Sequence, residues 1–143
     1  MEFHKILVSV NGTEVDDETV RLACRLARKD KGKIWAVYVI EVKRALPLDA
    51  ELEPDIKKAE AILDHTEEVA KEEGYKLETD LLQARDAGPT IVEEATERKA
   101  DLIVMGIEHK EYFGQFSLGS VVPYVLENSP CQVVLYQKYT GSK

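Results

Sequence analysis

The order of apolar and amphipathic segments is the feature that most restricts the fold of this chain. The run at 34–40, IWAVYVI, is apolar or aromatic at every position, which is typical of a parallel strand covered on both faces. Four further segments have strand composition; they are 5–10, 76–83, 101–105 and 131–136. Because a helical stretch separates each strand from the next, the pattern predicts parallel pairing with right-handed crossovers. The predicted fold class is α/β: a doubly wound, five-stranded parallel sheet with helices on both faces.

The helical stretches carry recognisable start signals. Their predicted beginnings are Thr13, Asp55, Gly88 and Ser120. Thr13 is followed three positions later by Asp16, a variant of the capping box. Pro123 suits only the first turn of a helix, which places the N-cap of the last helix at Ser120. Pro123 then offers no N–H, so the Ser120 hydroxyl has one fewer backbone partner and is available to a ligand.

Length, charge and cysteine content restrict the class of protein. The 143 residues fit a single domain spanning 1–143. The net charge of -8 and the absence of any run rich in lysine and arginine argue against nucleic-acid binding. No apolar run approaches the roughly 20 residues of a membrane span, and the first residues lack the pattern of a signal peptide. We therefore interpret Cys24 and Cys131 as reduced core thiols of a cytoplasmic protein.

Several functional classes that share this architecture need motifs that the sequence lacks. It contains neither the P-loop pattern G-x-x-x-x-G-K-[ST] nor G-x-G-x-x-G. A phosphoacceptor receiver domain needs acidic residues after its first and third strands, where this chain has Asn11-Gly12 and Gln83-Ala84. An adenylyl transferase needs paired histidines, and a metal site needs clustered ligands. The histidines are scattered at His4, His65 and His109, so neither is expected.

The segment after the fourth predicted strand, GIEHKEYFGQFSLGS, is longer than a usual βα connection. Ligands of doubly wound sheets sit at the carboxyl ends of the strands, where Asn11, Glu41 and Gly106 are expected. Glycines allow close approach of a phosphate, and a helix N-terminus beginning at Ser120 offers unpaired N–H groups. The segment is therefore either an anion site or a surface loop that contains glycines, and both interpretations remain open at this point.

The spacing of this segment resembles that of the universal stress proteins. Members that bind ATP carry Gly, two residues, Gly, nine residues and Gly-Ser or Gly-Thr. Here Gly106 matches the first position, His109 replaces the second glycine, and Gly119-Ser120 closes the pattern. Other segments are similar to the family in the same order, covering nearly the whole chain; they are KILVSVNGTE, VYVIE, AGPTIVEEATERKADLIVMG and SPCQVVLY.

This resemblance implies a Rossmann-like regulatory or stress-response protein, without robust catalysis, whose modified pocket binds an adenine nucleotide weakly. The implied ligand is ATP, with Mg²⁺. The residues it assigns to the pocket are Ser9, Asn11, Val39, Gly106, His109, Gly119, Ser120 and Val121. Three of them depart from the ATP-binding pattern. Ser9 and Asn11 stand where Pro and Asp are usual, and a side chain at His109 takes space that a phosphate would use.

The resemblance also implies a homodimer formed through the last strand, residues 131–137. An apolar edge strand of this kind would otherwise invite uncontrolled pairing. Two alternatives to nucleotide-dependent regulation remain. One is a dimeric protein-interaction module that does not need a nucleotide and acts through protein partners, and the other is a slow ATP hydrolase.

Overall fold

A computed structural model describes residues 1–112 and 114–138, with only the backbone of residues 110–112, 115 and 116. The strands are β1 (Lys5–Ser9), β2 (Lys33–Glu41), β3 (Glu78–Ala84), β4 (Leu102–Ile107), β5 (Lys110–Tyr112), β6 (Gln115–Ser117) and β7 (Gln132–Gln137). The helices are α1 (Asp16–Arg28), α2 (Glu53–Glu72), α3 (Ala87–Glu97) and α4 (Val121–Asn128). Within the described ranges, no helix combines the length and apolarity that a membrane crossing requires.

The main sheet has the strand order β3-β2-β1-β4-β7, and every neighbouring pair in it is parallel. The chain runs outward from β1 to β3 and then returns past β1 to β4. The strand order therefore reverses between β1 and β4. This arrangement confirms the predicted doubly wound, five-stranded parallel sheet.

Alternating side chains of the central strands build two separate cores. Ile6 and Val8 of β1 pack with α1 and α2 on one face of the sheet. Leu7, between them, packs with α3 and α4 on the other face. All three side chains are fully buried. The apolar character of the central strands at consecutive positions thus reflects helices on both faces.

The helix starts were predicted with mixed success. Ser120 is the N-cap of α4 as predicted, and Pro123 is the third residue of that helix. The prediction that Thr13 caps α1 is wrong, because α1 begins at Asp16 and its N-cap position is Val15. The carboxylate of Asp16 is instead turned toward the preceding turn, where it accepts backbone N–H groups.

Residues 106–118 do not form an irregular connection. Strand β4 continues to Ile107, and β5 and β6 then form a two-stranded antiparallel hairpin. Gly114 lies at its turn with a φ of +77°, a backbone conformation that glycine adopts without strain. The long connection between β4 and α4 therefore has secondary structure of its own.

Candidate functional site

A cleft of about 380 Å³ lies at the carboxyl ends of β1, β2 and β4. This is where the strand order reverses, the usual position for a ligand in an open α/β sheet. Its wall is completed by the segment before α4 and by the first residues of that helix. The polar residues of the lining are Ser9, Asn11, Thr13, Tyr38, Glu41, Glu108, Ser117 and Ser120.

The fold brings seven of the eight predicted pocket residues together in this cleft. They are Ser9, Asn11, Val39, Gly106, Gly119, Ser120 and Val121. The eighth, His109, is exposed and lies outside the lining. Its Nδ1 atom is 3.4 Å from Nε2 of Gln137, on β7. Pocket residues predicted from four separate segments of the sequence thus meet at one edge of the sheet.

The turn that carries Asn11 is held by a buried carboxylate. Asp16 is 7% exposed, and its Oδ2 accepts the N–H of Gly12 at 2.7 Å and the N–H of Asn11 at 3.2 Å. Burial raises the pKa of the Asp16 carboxyl, and the hydrogen bond from Gly12 opposes that shift. Gly12 has a φ of +80°, so the turn itself depends on glycine. Asp16 therefore fixes the backbone from which the Asn11 side chain projects.

The first and last glycines of the pattern, Gly106 and Gly119, are required for different physical reasons. A Cβ on Gly106 would overlap the hydroxyl of Thr19 and lie 2.8 Å from Cγ2 of Val15. Gly106 is therefore required by the close packing of α1 on β4. Gly119 has a φ of +71°, and a Cβ added to it would meet no atom within 4 Å. At this position glycine is required by the backbone conformation and not by close packing, and open space lies beside it.

Ser120 begins α4 without using its side chain as a cap. Its hydroxyl makes no capping hydrogen bond, and the N–H of Gly119 is bound by the Ser117 hydroxyl oxygen at 3.1 Å. The first N–H groups of a helix have no partner within the helix, and they form the positive end of its dipole. The start of α4 thus presents a hydroxyl and backbone donors beside the cleft.

The charged side chains of the lining are both carboxylates. Glu41 ends β2, and its Oε2 accepts the N–H of Ala87 at the start of α3 at 2.9 Å. Glu108 follows β4. Among the described residues that line the cleft, none is Lys, Arg or His. Positive potential for an anion must therefore come from backbone donors or from a bound cation.

Sequence reasoning missed two residues that shape this cleft. Glu41 was expected at this edge because it follows the predicted strand 34–40, but it was not assigned to the pocket. Asp16 was noted only as a capping residue. Its position five residues after Asn11 is a local signal that could have indicated its contact with the turn.

Beside the cleft, a second groove of about 490 Å³ lies between α1 and α2. Thr13 lines both the groove and the cleft. Within the groove, Nε2 of His65 is 2.9 Å from Oδ2 of Asp17. This hydrogen bond raises the pKa of His65. The groove carries charges of both signs, unlike the described lining of the cleft.

Comparison with known proteins places the whole chain in one family. Residues 2–137 match the model of the Universal stress protein family. A universal stress protein of Methanocaldococcus jannaschii is 33% identical over 142 residues, covering 95% of this chain and 83% of that protein.

Solved structures share the fold. The universal stress protein of Archaeoglobus fulgidus superposes with a TM-score of 0.78 at 24% identity, covering 93% of this chain and 98% of the other. A structure of the universal stress protein from the same organism in complex with dAMP gives a TM-score of 0.74 at 24% identity, with coverages of 94% and 98%. With a match that spans nearly all of its length, the chain belongs to the universal stress protein family.

Proposed function

We propose that this protein is a regulatory member of its family that binds an adenine nucleotide in the cleft at the carboxyl ends of β1, β2 and β4. The observation that carries the proposal is the convergence of seven predicted pocket residues on one cleft. The complex of an Archaeoglobus fulgidus relative with dAMP supports the same class of ligand.

The apolar part of the lining suits a purine base. Val39 lies near the end of β2, and Met105 and Ile107 lie on β4 across the cleft. Asn11 stands on the fixed turn after β1, where its amide can both donate to and accept from ribose hydroxyls. The base and the sugar can thus be bound by uncharged side chains.

The polar part of the lining favours a nucleotide with few phosphate groups. Ser120 and the unpaired N–H groups at the start of α4 can bind a phosphate group. Glu41 and Glu108 add negative charge to the same cleft, and like charges at short distance repel. We infer that ATP binds weakly, and that Mg²⁺ strengthens its binding by placing a cation between the phosphates and the carboxylates.

Calorimetric titration tests the proposal directly. We expect saturable binding of AMP, weaker binding of ATP, and partial recovery of ATP affinity when Mg²⁺ is present. Ser120→Ala should weaken AMP binding, because the hydroxyl beside the phosphate is lost. Thr96→Ala is the matched control, because the Thr96 hydroxyl is exposed on α3 and bonds back to Val92 O. No detectable heat with any adenine nucleotide at millimolar concentration, and no change in melting temperature, would refute the proposal.

We also propose that the protein is a homodimer formed through β7. This strand lies at the edge of the sheet, paired only with β4 among the described strands. Its central residues are only half buried in the single chain, and Leu126 of the neighbouring α4 is 49% exposed. A second copy would cover this apolar edge.

Light scattering measures the mass of the assembly. We expect a particle of twice the 16.1 kDa chain mass, and a shift toward the monomer for Tyr136→Lys, which places a charge on β7. Leu46→Lys is the control, since it charges an exposed leucine in the connection between β2 and α2. A monomer at micromolar concentration, or equal effects of both variants, would contradict the dimer.

A dimer without nucleotide binding would support the second candidate function, an interaction module that acts through protein partners. The exposed apolar side chains before and along α4, namely Leu118, Tyr124 and Leu126, favour this candidate. The two cysteines are free, which fits the cytoplasmic location that we propose for either form. Slow ATP hydrolysis remains a lesser alternative, which a phosphate-release assay with Mg²⁺ would test.

A further inference from the structure

Three side chains of types that can bind metal ions lie close together at the amino end of the sheet. This is the opposite end of β1 from the cleft. The three residues are Glu2, His4 and Asp30, and one ligand atom from each lies within 4.8 Å of the other two. His4 Nε2 is 2.8 Å from Glu2 Oε1. Their spacing in the sequence matches no metal motif, so only the fold brings them together.

The backbone holds this cluster, which we call the amino-end triad, in a defined arrangement. The N–H of Phe3 donates to Oδ2 of Asp30 at 2.9 Å, and the N–H of His4 donates to Oδ2 of Asp101 at 2.8 Å. The carbonyl of His4 accepts the N–H of Lys33 at 2.8 Å. The side chains of Glu2 and His4 lie on the same side, because His4 Nε2 is 2.8 Å from Glu2 Oε1. Main-chain hydrogen bonds therefore hold His4 and Asp30 in place, and Glu2 adjoins the anchored residue Phe3.

The electrostatic surroundings of the triad favour a cation. Asp30 lies two residues beyond the end of α1 at Arg28, where the helix dipole is negative. The carboxylate of Asp101 adds a further negative charge near His4. Among nearby basic residues, Arg28 is bound to Glu73 and Lys33 to Glu78. Lys29 and Lys31 are exposed, so their ammonium groups are hydrated.

We propose that Glu2, His4 and Asp30 form a surface site for a divalent transition-metal ion of the Zn²⁺ class. One imidazole nitrogen and two carboxylate oxygens are ligands that Zn²⁺, Co²⁺ and Ni²⁺ accept, whereas Mg²⁺ and Ca²⁺ prefer oxygen alone. Bonds of about 2.0–2.2 Å to the ion would bring the ligand atoms to roughly 3.4 Å from one another. Rotation of the exposed Glu2 and His4 side chains toward the half-buried Asp30 would supply that change. Water completes the coordination shell.

The test is calorimetric titration of the full-length, untagged protein with ZnCl₂ after removal of metals with a chelator. We expect one saturable site in the wild-type protein. His4→Gln should weaken Zn²⁺ binding by at least about tenfold, because a direct ligand contributes no less than the supporting residues whose loss costs 10–100-fold. Glu2→Gln, which leaves the anchors of Phe3 and His4 intact, should weaken it in the same direction.

His65→Gln is the matched control. His65 is also exposed and hydrogen-bonded to a carboxylate, at 2.9 Å, but among the described residues it belongs to no group of three possible ligands. The Zn²⁺ affinity of this variant should equal that of the wild-type protein.

Two outcomes would overturn the proposal: no saturable Zn²⁺ binding by the wild-type protein, or equal affinities for His4→Gln and His65→Gln. The triad lies at the opposite end of β1 from the cleft, so His4→Gln should leave the affinity for AMP, measured without Zn²⁺, unchanged. The proposal of a metal site and the proposal of a nucleotide site can therefore be tested independently.

Discussion

The face of the sheet covered by α1 and α2 differs from the face covered by α3 and α4 in how its helices are tied together and in the apolar side chains that they leave exposed. Helix α2 has 20 residues and α4 only 8. On the α1/α2 face, Arg21, Arg25 and Arg28 of α1 all contact the carboxylate of Glu73, which directly follows α2. On the α3/α4 face, Tyr124 and Leu126 of α4 are 38% and 49% exposed.

This difference indicates that the α1/α2 face is stabilised within one chain, whereas the α3/α4 face needs a partner to cover it. Glu73 ties α1 to the end of α2, and its backbone carbonyl also accepts a hydrogen bond from Arg28 at 2.8 Å. The α3/α4 face lies beside the edge strand β7 and carries the apolar groups that water disfavours. We therefore expect substitutions on the α1/α2 face to act on folding and substitutions on the α3/α4 face to act on association.

The largest expected effect comes from paired leucine truncations on the two faces. Leu63 of α2 is 5% exposed, and Leu63→Ala should lower the free energy of unfolding by about 2–5 kcal/mol because it leaves a cavity. Leu126→Ala should change it by less than about 0.5 kcal/mol. Urea unfolding in the Tyr136→Lys background, where association is suppressed, measures both. Equal losses of unfolding free energy for Leu63→Ala and Leu126→Ala would show that the two faces contribute to folding alike.

The second test concerns the two glycines at the ends of the β4–α4 pattern. Gly106→Ala should lower the free energy of unfolding by about 1–3 kcal/mol, because the methyl group overlaps Thr19 and Val15 of the α1 side. Adding Thr19→Ala should recover part of that loss, with a coupling of about 1 kcal/mol.

Gly119→Ala serves as the control in the same cycle. Its cost of about 1 kcal/mol should arise from the positive φ alone, and it should be additive with Thr19→Ala. An additive result for Gly106→Ala would show that Gly106 does not owe its place to packing against α1.

The third test concerns the arginine cluster on the α1/α2 face. The hydrogen bond from Arg25, with those from Arg28 and Arg21, lowers the pKa of Glu73. A lowered carboxyl pKa stabilises the fold above the unfolded-state value, and this contribution is lost as the pH falls through the folded-state value. The melting temperature of the wild-type protein should therefore fall more steeply than that of Glu73→Gln between about pH 6 and about pH 2. Parallel curves would mean that the arginine cluster adds no net stability.

Local sequence signals were sufficient for the architecture but not for contacts between distant segments. The apolar run at 34–40 and the single helical stretch between strands predicted the parallel sheet, because both features follow from burial on two faces. Pro123 located the start of α4, because proline is restricted within a helix. Thr13 was assigned wrongly, because the Asp16 carboxylate turns back toward the backbone of Asn11 and Gly12, and only the capping spacing between Thr13 and Asp16 was considered.

The order of strands and the family resemblance predicted a cleft at this edge of the sheet, but not that its described lining would contain no basic side chain. That the described lining contains carboxylates and no basic side chain depends on where Glu41 and Glu108 fall in three dimensions. The amino-end triad joins two residues that precede β1 to one that follows α1, so no local pattern could indicate it. Such sets become visible only when the fold is known.

The smallest expected effect concerns the pair of His65 and Asp17, which links α2 to the first turn of α1 on the α1/α2 face. The hydrogen bond that His65 donates to Asp17 raises the pKa of His65, so the pair stabilises the fold below the unfolded-state pKa. That contribution disappears as the pH rises through the folded-state pKa. The wild-type melting temperature, relative to that of His65→Gln, should therefore decline between about pH 5.5 and about pH 8.5. Both groups are exposed, so water screens the pair and the decline should be small. A difference that stays constant with pH would mean that the pair contributes no charge-dependent stability, leaving the arginine cluster around Glu73 as the electrostatic tie between α1 and the end of α2.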